Sequence, residues 1–259
     1  MPTPDQYQHK PTLRVLDIVD ALAKSKNGLT LSQLSDSMGC PKSTLTPILK
    51  TMTSRNYLVR DTESQVYNIG KQAFLIGSVY QDTNDVLSLI QDQMNQLSSD
   101  CDETCHFGIL SGQSILYLLK VTAPKPIQLI SSVGKKLPAY ATALGKALLY
   151  DKSEAELNQL FPERFVPLTE YTIKNTHQLY KNIHQDEANG FTYEQEEITR
   201  HARCIARPLR MNGTIVAALS VSFLVFNDSK EHIAFLKDAL TKSANLIEKL
   251  MNARGFPYQ

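Results

Sequence analysis

The chain has 259 residues, 27 lysines and arginines against 26 aspartates and glutamates, and 42% hydrophobic residues. That balance suits one large or two smaller folded domains and excludes wholesale disorder. No apolar run approaches the roughly 20 residues of a membrane span, and Met1 to Pro11 has no apolar core of a secretory signal. With only four scattered cysteines (Cys40, Cys101, Cys105, Cys204), the composition fits a reducing compartment, so a cytoplasmic protein without membrane association is expected.

Leu13, Leu16, Val19 and Leu22 recur at helical spacing, which predicts a first helix near 12–26, stopped by Gly28. Thr30-Leu31-Ser32-Gln33 has the form of a capping box, so a short second helix starts there and ends at Gly39. Pro41 is placed as the first residue of a third helix, where its missing N–H costs nothing. In that helix Leu45, Ile48, Leu49 and Met52 form one apolar stripe, leaving Lys42, Ser43, Thr46 and Lys50 for solvent or a partner. Pro47 lies inside it and removes the bond to residue 43, at a cost of roughly 3 kcal/mol, so a kink or loosened turn is expected near Ser43–Pro47. Tyr57–Arg60 and Val66–Ile69, joined by a polar turn, read as a hairpin.

Helix-turn-helix plus hairpin makes a winged helix. Residues 27–60 hold Lys42, Lys50, Arg55 and Arg60 against the single acid Asp36, a cationic island that can face phosphates or simply be solvated. A winged helix also serves protein contacts, which is the alternative reading.

A linker helix follows from Lys71, and a longer helix runs from Val86 towards Cys101. Strands are predicted at Thr104–Leu110, Ser114–Val121 and Ile127–Val133. Three helices come next: Thr142–Tyr150, Ser153–Leu160 with a Ser-x-x-Glu box, and Thr176–Asn189 stopped by Gly190. Strands return at Phe191–Glu194, Arg203–Arg210 and Thr214–Leu224, and Ser229–Ala253 is a final amphipathic helix. Strands flanking a helical middle predict an α+β domain, an antiparallel sheet with helices packed on it.

Catalysis finds no support. Glu197, His201 and Cys204 are close only in sequence, no Gly-x-Ser-x-Gly elbow occurs, and Gly145-Lys146-Ala147 lacks the Ser/Thr of a phosphate loop. Cys101, Cys105 and His106 lack a second spaced pair of ligands, so neither a metal nor another cofactor is expected.

Several segments carry a family likeness. Leu29-Thr-Leu-Ser-Gln-Leu, Gly39-Cys-Pro-Lys-Ser-Thr-Leu45, Tyr57-Leu-Val-Arg60 and Tyr67-Asn-Ile-Gly70 resemble the winged-helix domain of IclR-family transcriptional regulators. Leu137-Pro-Ala-Tyr-Ala-Thr-Ala-Leu-Gly-Lys-Ala147, Gly190-Phe-Thr-Tyr-Glu-Gln-Glu-Glu197, Arg203-Cys-Ile-Ala-Arg-Pro208 and Val216-Ala-Ala-Leu-Ser-Val-Ser222 resemble that family's effector-binding domain, in the same order. The resemblance implies a DNA-binding domain over 1–70, a linker helix over 71–83 and a GAF-like effector domain over 84–259. It further implies a non-enzymatic transcriptional regulator, expected to be a repressor, that binds double-stranded operator DNA as a homodimer pairing into tetramers. Recognition helices roughly 34 Å apart would then meet successive major grooves.

DNA-contact candidates are Lys42, Ser43, Thr44, Thr46 and Lys50; Ser43 and Thr44 are equally readable as capping or turn residues. The family's usual His-Arg pair is Thr46-Pro47 here, which removes the side chain best able to fork onto guanine or phosphate. Carrying the family's effector residues over gives Leu129, Ala143, Leu144, Glu194, Cys204, Ser220 and Ser222. Alternation puts Ser220 and Ser222 on one strand face, with Cys204 on a neighbouring strand, although sheet-bonded hydroxyls and a small buried thiol would look the same. N–H groups opening the Thr142 helix favour a carboxylate, so a small organic acid or sugar acid is the expected effector. Glu194 would repel it unless protonated or facing a ligand hydroxyl.

Overall fold

A computed structural model describes residues 9–82, 85–125 and 132–257, and the chain divides into two units, Met1–Asn84 and Asp85–Gln259. The first unit contains α1 (Lys10–Lys24), β1 (Leu29–Thr30), α2 (Leu31–Met38), α3 (Lys42–Ser54), β2 (Leu58–Arg60), β3 (Val66–Ile69) and α4 (Lys71–Asp82). α1 starts earlier than its apolar spacing suggests, because Pro11 is tolerated in a first helical turn. The capping box of α2 is formed: Gln33 N donates to Thr30 Oγ1 at 3.3 Å, and Thr30 N donates to Gln33 Oε1 at 2.8 Å. Gly39 closes α2 at φ +56°, a left-handed conformation that suits glycine.

Pro41 stands outside α3 rather than at its first position. Its ψ of 141° is extended, and its carbonyl accepts from Thr44 N and Leu45 N, so it acts as the N-cap. The expected disruption at Pro47 does not interrupt α3, which runs unbroken through it. Both Ser43 and Pro47 are exposed, so the carbonyl that loses its partner lies on the side open to solvent. Ile18, Leu22, Leu34, Leu45, Leu49, Met52 and Leu58 make the core of this unit. β1 is too short to carry a periodicity and is missed by pattern; it completes a three-stranded sheet in the order β1-β3-β2.

The second unit contains α5 (Asp85–Cys101), β4 (Thr104–Ser111), β5 (Ser114–Val121), β6 (Lys136–Pro138), α6 (Ala143–Leu148), α7 (Glu154–Leu160), α8 (Thr176–Ile183), β7 (Thr192–Gln195), β8 (Ala202–Met211), β9 (Thr214–Leu224) and α9 (Lys230–Arg254). Its six strands pair antiparallel in the order β6-β5-β4-β9-β8-β7. Period-2 alternation splits each strand between two faces. Phe107, Ile205, Leu209, Leu219 and Val221 pack with Ile90, Met94 and Leu97 of α5 and Leu236, Leu240 and Ile247 of α9. On the other face, Ile115, Ala206 and Ala218 meet Ala143, Leu144 and Ala147 of α6, with Leu157 and Leu179 behind.

The strand expected at Ile127–Val133 falls largely outside the described residues; β6 comes later and closes the sheet beside β5. α8 ends at Ile183, short of Asn189, and the turn beyond it is fastened at Asp186, whose carbonyl accepts from Asn189 N and Gly190 N and whose carboxylate accepts from Asn189 Nδ2, Lys237 Nζ and Tyr193 Oη.

α6 is held close to the sheet by a backbone approach. A Cβ at Gly145 would lie 2.2 Å from the Ala139 carbonyl oxygen and 2.4 Å from Ala139 Cα. Gly145→Ala must therefore push α6 from the preceding turn, and we expect it to lower unfolding free energy by about 1–3 kcal/mol. Urea denaturation checks this; an unchanged midpoint would mean that the turn yields freely.

Candidate functional site

Between α6 and the sheet lies a cavity of about 60 Å³, lined by groups from all six strands and α6. That is space for several waters or one small molecule. Ala143, Leu144, Glu194, Cys204, Ser220 and Ser222, six of the seven expected effector residues, all line it. Leu129 lies outside the described residues. The register explains the convergence: Glu194 of β7 is opposite Cys204 of β8, and Cys204 is opposite Ser222 of β9. His106 of β4 is opposite Ser220.

A line of polar atoms crosses the cavity floor. Cys204 Sγ is 3.0 Å from Ser222 Oγ, which is 3.4 Å from His106 Nδ1. The His106 ring lies 5.1 Å from that of Tyr117, also on the cavity wall. Glu194 Oε1 accepts from Glu197 N at 2.6 Å and Ile198 N at 3.1 Å. Burial pushes the Glu194 carboxyl up to about 7, with the Glu197 carboxylate adding to the rise and the Ile198 N–H opposing it. Burial drives His106 down to about 3, so it is a neutral ring near pH 7, and burial pushes the Cys204 thiol up. No lysine or arginine lines the cavity among the described residues. The pocket is therefore a hydrogen-bonding surface with one titrating carboxyl, and it carries no fixed positive charge.

Sequence reasoning passes over His106, Tyr117, Leu137, Ile198 and Thr199 of this wall. Alternation along β4 separates His106 from Cys105 and Phe107, which lie in the opposite core, but only strand pairing shows what His106 faces. Thr142 Oγ1 accepts from Gly145 N at 2.9 Å and caps α6. Behind the pocket sits Lys146, entirely buried: its Nζ donates to Glu197 Oε1 at 2.5 Å and to the Tyr193 carbonyl at 2.7 Å. Lys146 thus joins α6 to the β7–β8 segment that supplies Glu194. Glu197 is committed to it and His201 is exposed, so Glu197, His201 and Cys204 do not form a nucleophile–base set. Among the described residues no three His, Cys, Asp or Glu side chains are grouped to hold a metal ion.

In the first unit, α3 turns Lys42, Ser43 and Lys50 to solvent, while Thr44 and Thr46 are half-buried. The Thr46 hydroxyl donates to the Lys42 carbonyl at 2.7 Å, which commits its proton within the helix. Arg60, at the wing, lies 5.4 Å over the Tyr67 ring and bonds Gln65. The expected contact residues therefore share the helix, although Thr44 and Thr46 are less available than Lys42, Ser43 and Lys50.

Comparison with known proteins places both units. The family model described as the IclR helix-turn-helix domain matches residues 12–62. The one described as the bacterial transcriptional regulator IclR C-terminal domain matches residues 79–249. The HTH-type transcriptional regulator KdgR of Escherichia coli is 29% identical over 248 residues, covering 95% of this chain and 94% of that protein. The HTH-type transcriptional repressor AllR of Salmonella paratyphi A is 30% identical over 214 residues, covering 81% of this chain and 78% of its own length. A crystal structure of an IclR homologue from Microbacterium hydrocarbonoxydans complexed with 4-hydroxybenzoate has the same fold, with a TM-score of 0.80 at 19% identity over 94% of this chain and 99% of that one.

Proposed function

The chain belongs to the IclR family of DNA-binding transcriptional regulators, and from that premise we propose that it is a cytoplasmic repressor released from or tightened on its operator by a small acid. The observation that carries the effector half is the convergence of Ala143, Leu144, Glu194, Cys204, Ser220 and Ser222 on one cavity. Serine hydroxyls and the Cys204 thiol are the groups that would grip the ligand's oxygens, and Leu144 and Tyr117 would exclude water. With the carboxyl of Glu194 held near 7, an acid enters either beside its protonated form or with a hydroxyl turned towards it. The homologue bound to 4-hydroxybenzoate, itself an organic acid, supports this class.

The DNA half rests on α3 and the wing. Lys42, Ser43 and Lys50 are the proposed principal contacts, with Thr44 and Thr46 supporting, and Arg60 of the wing reaches phosphate. We take the region over 1–70 as the DNA-binding part, 71–83 as the linker that transmits the response, and 84–259 as the effector part. A homodimer, with pairing into tetramers, supplies two recognition helices. No helix among the described residues is long and apolar enough to cross a membrane.

Fluorescence anisotropy of the purified protein on DNA flanking its own gene, against a scrambled duplex and across a salt series, tests the reading. Specific, steeply salt-dependent binding that a panel of small hydroxy and sugar acids alters is the expected result. Binding equal on both duplexes and indifferent to every acid would overturn it. In the same assay Ser222→Ala is expected to raise the acid concentration needed for half response by about 10-fold, the loss of one buried hydrogen bond, and to leave DNA affinity unchanged. A shift of the DNA affinity itself would place Ser222 in folding instead.

A further inference from the structure

The outward face of α3 is unusually poor in groups that read purines. At about 100° per residue, Ser43, Pro47, Lys50 and Ser54 share one face, opposite the buried Leu45, Leu49 and Met52. All four are exposed. No arginine, asparagine or glutamine lies between Lys42 and Ser54, so the two-pronged contacts to guanine and adenine edges have no donor on this helix. Three nearby hydroxyl protons are also committed within the helix: Thr46 Oγ1 donates to the Lys42 carbonyl, Thr51 Oγ1 to the Pro47 carbonyl at 2.9 Å, and Ser54 Oγ to the Thr51 carbonyl at 2.9 Å.

A helix of a helix-turn-helix unit that lies in the major groove brings its outward face against base edges. A pyrrolidine ring there offers neither donor nor acceptor. Placed over guanine it would strip water from O6 and N7 without replacing it, and over cytosine it would do the same to the N4 amine. The largest apolar feature of major-groove base edges is the 5-methyl group of thymine. Lys50 shares this face with the ring and would hold a phosphate beside it, as a nucleic-acid partner requires. We propose that Pro47 is a specificity-determining residue that selects one thymine in each operator half-site by packing its ring on the thymine methyl. This deepens the operator-binding reading and rests on it.

The competing occupant is a protein. An apolar cleft of about 530 Å³ is lined by Val15, Leu16, Val19, Ile48 and Tyr57 and by Pro47 itself. The exposed cation Lys50 on the same face favours DNA, and the experiment decides between the two.

Full-length protein is first used to select tight binders from a pool of random-sequence duplexes. Every thymine of the winning half-site is then replaced singly by uracil, which removes only the methyl group, and affinity is read by anisotropy. One thymine is expected whose replacement weakens binding about 3- to 5-fold, the burial of a single methyl. That loss is expected to vanish in Pro47→Ala, whose thermal unfolding is measured alongside, and Pro47→Arg is expected to shift the preferred base at that position to guanine. A selected operator on which no uracil matters, or on which it matters equally in Pro47→Ala, overturns the inference while leaving the protein a DNA-binding regulator. A pool that yields no enriched sequence takes down the operator reading and the inference together, and directs attention to the protein-binding cleft.

Discussion

Replacing Lys146 by methionine is expected to destabilise the second unit by about 3–5 kcal/mol, the cost of leaving one member of a buried pair behind. Lys146 has 0% exposure and Glu197 has 3%, so water cannot take over the carboxylate when the ammonium is gone. Burial lowers the Lys146 ammonium and raises the Glu197 carboxyl, and each is pulled back towards its charged form by the other. Glu197→Met alone is expected to cost a similar amount, because Lys146 then keeps only the Tyr193 carbonyl. The double variant should recover most of the loss, since two apolar side chains of similar volume leave no charge unpaired. Urea unfolding of the four proteins in this cycle measures the coupling. Two single variants each within about 1 kcal/mol of wild type would show that the pair is solvated in solution.

The second large effect concerns Glu194 and pH. Its carboxyl titrates near 4.5 when unfolded and about 7 when folded. Below 4.5 both states hold the proton and stability is unaffected. Between 4.5 and about 7 the folded protein keeps a proton that the unfolded chain has released, so stability falls as pH rises. Above 7 both are ionised and the penalty is constant, at about 3 kcal/mol from the separation of the two values. Glu194→Gln does not titrate, and its amide can still accept from the Glu197 and Ile198 N–H groups. The variant is therefore expected to gain on wild type between pH 4.5 and 7.5 and to stay ahead by a constant margin at pH 8. Thermal or urea unfolding at pH 5 and pH 8 reads this directly. A wild-type-to-variant difference that is equal at both values would mean that Glu194 keeps an ordinary carboxylate character.

Short-range chemistry was legible in the residues. The boxes Thr30–Gln33 and Ser153–Glu156 form as their spacing requires, because every atom in them lies within three residues of its partner. The stripe Leu45, Leu49, Met52 is buried and the strand pairs around Asn212-Gly213 are in place, because periodicity encodes which face meets a core. One misplaced boundary sits beside non-local contacts. Beyond the end of α8 at Ile183 the turn is fastened by Asp186 to Lys237 and Tyr193, 51 and 7 residues away in the chain.

The sequence by itself determined the two-part α+β architecture, the exposed cationic face of α3, and the alternation that puts Ser220 and Ser222 on the same side of β9. These follow from covalent spacing acting through periods of 3.6 and 2. Only the tertiary structure decided that His106 and Tyr117 share the pocket wall, that Lys146 reaches Glu197 beneath it, and that the pocket has no cation among its described lining. Those properties depend on burial and on pairings up to 116 residues apart. A side chain's proton affinity and its partner are set by what the folded chain brings within a few ångströms, and no local pattern encodes that distance.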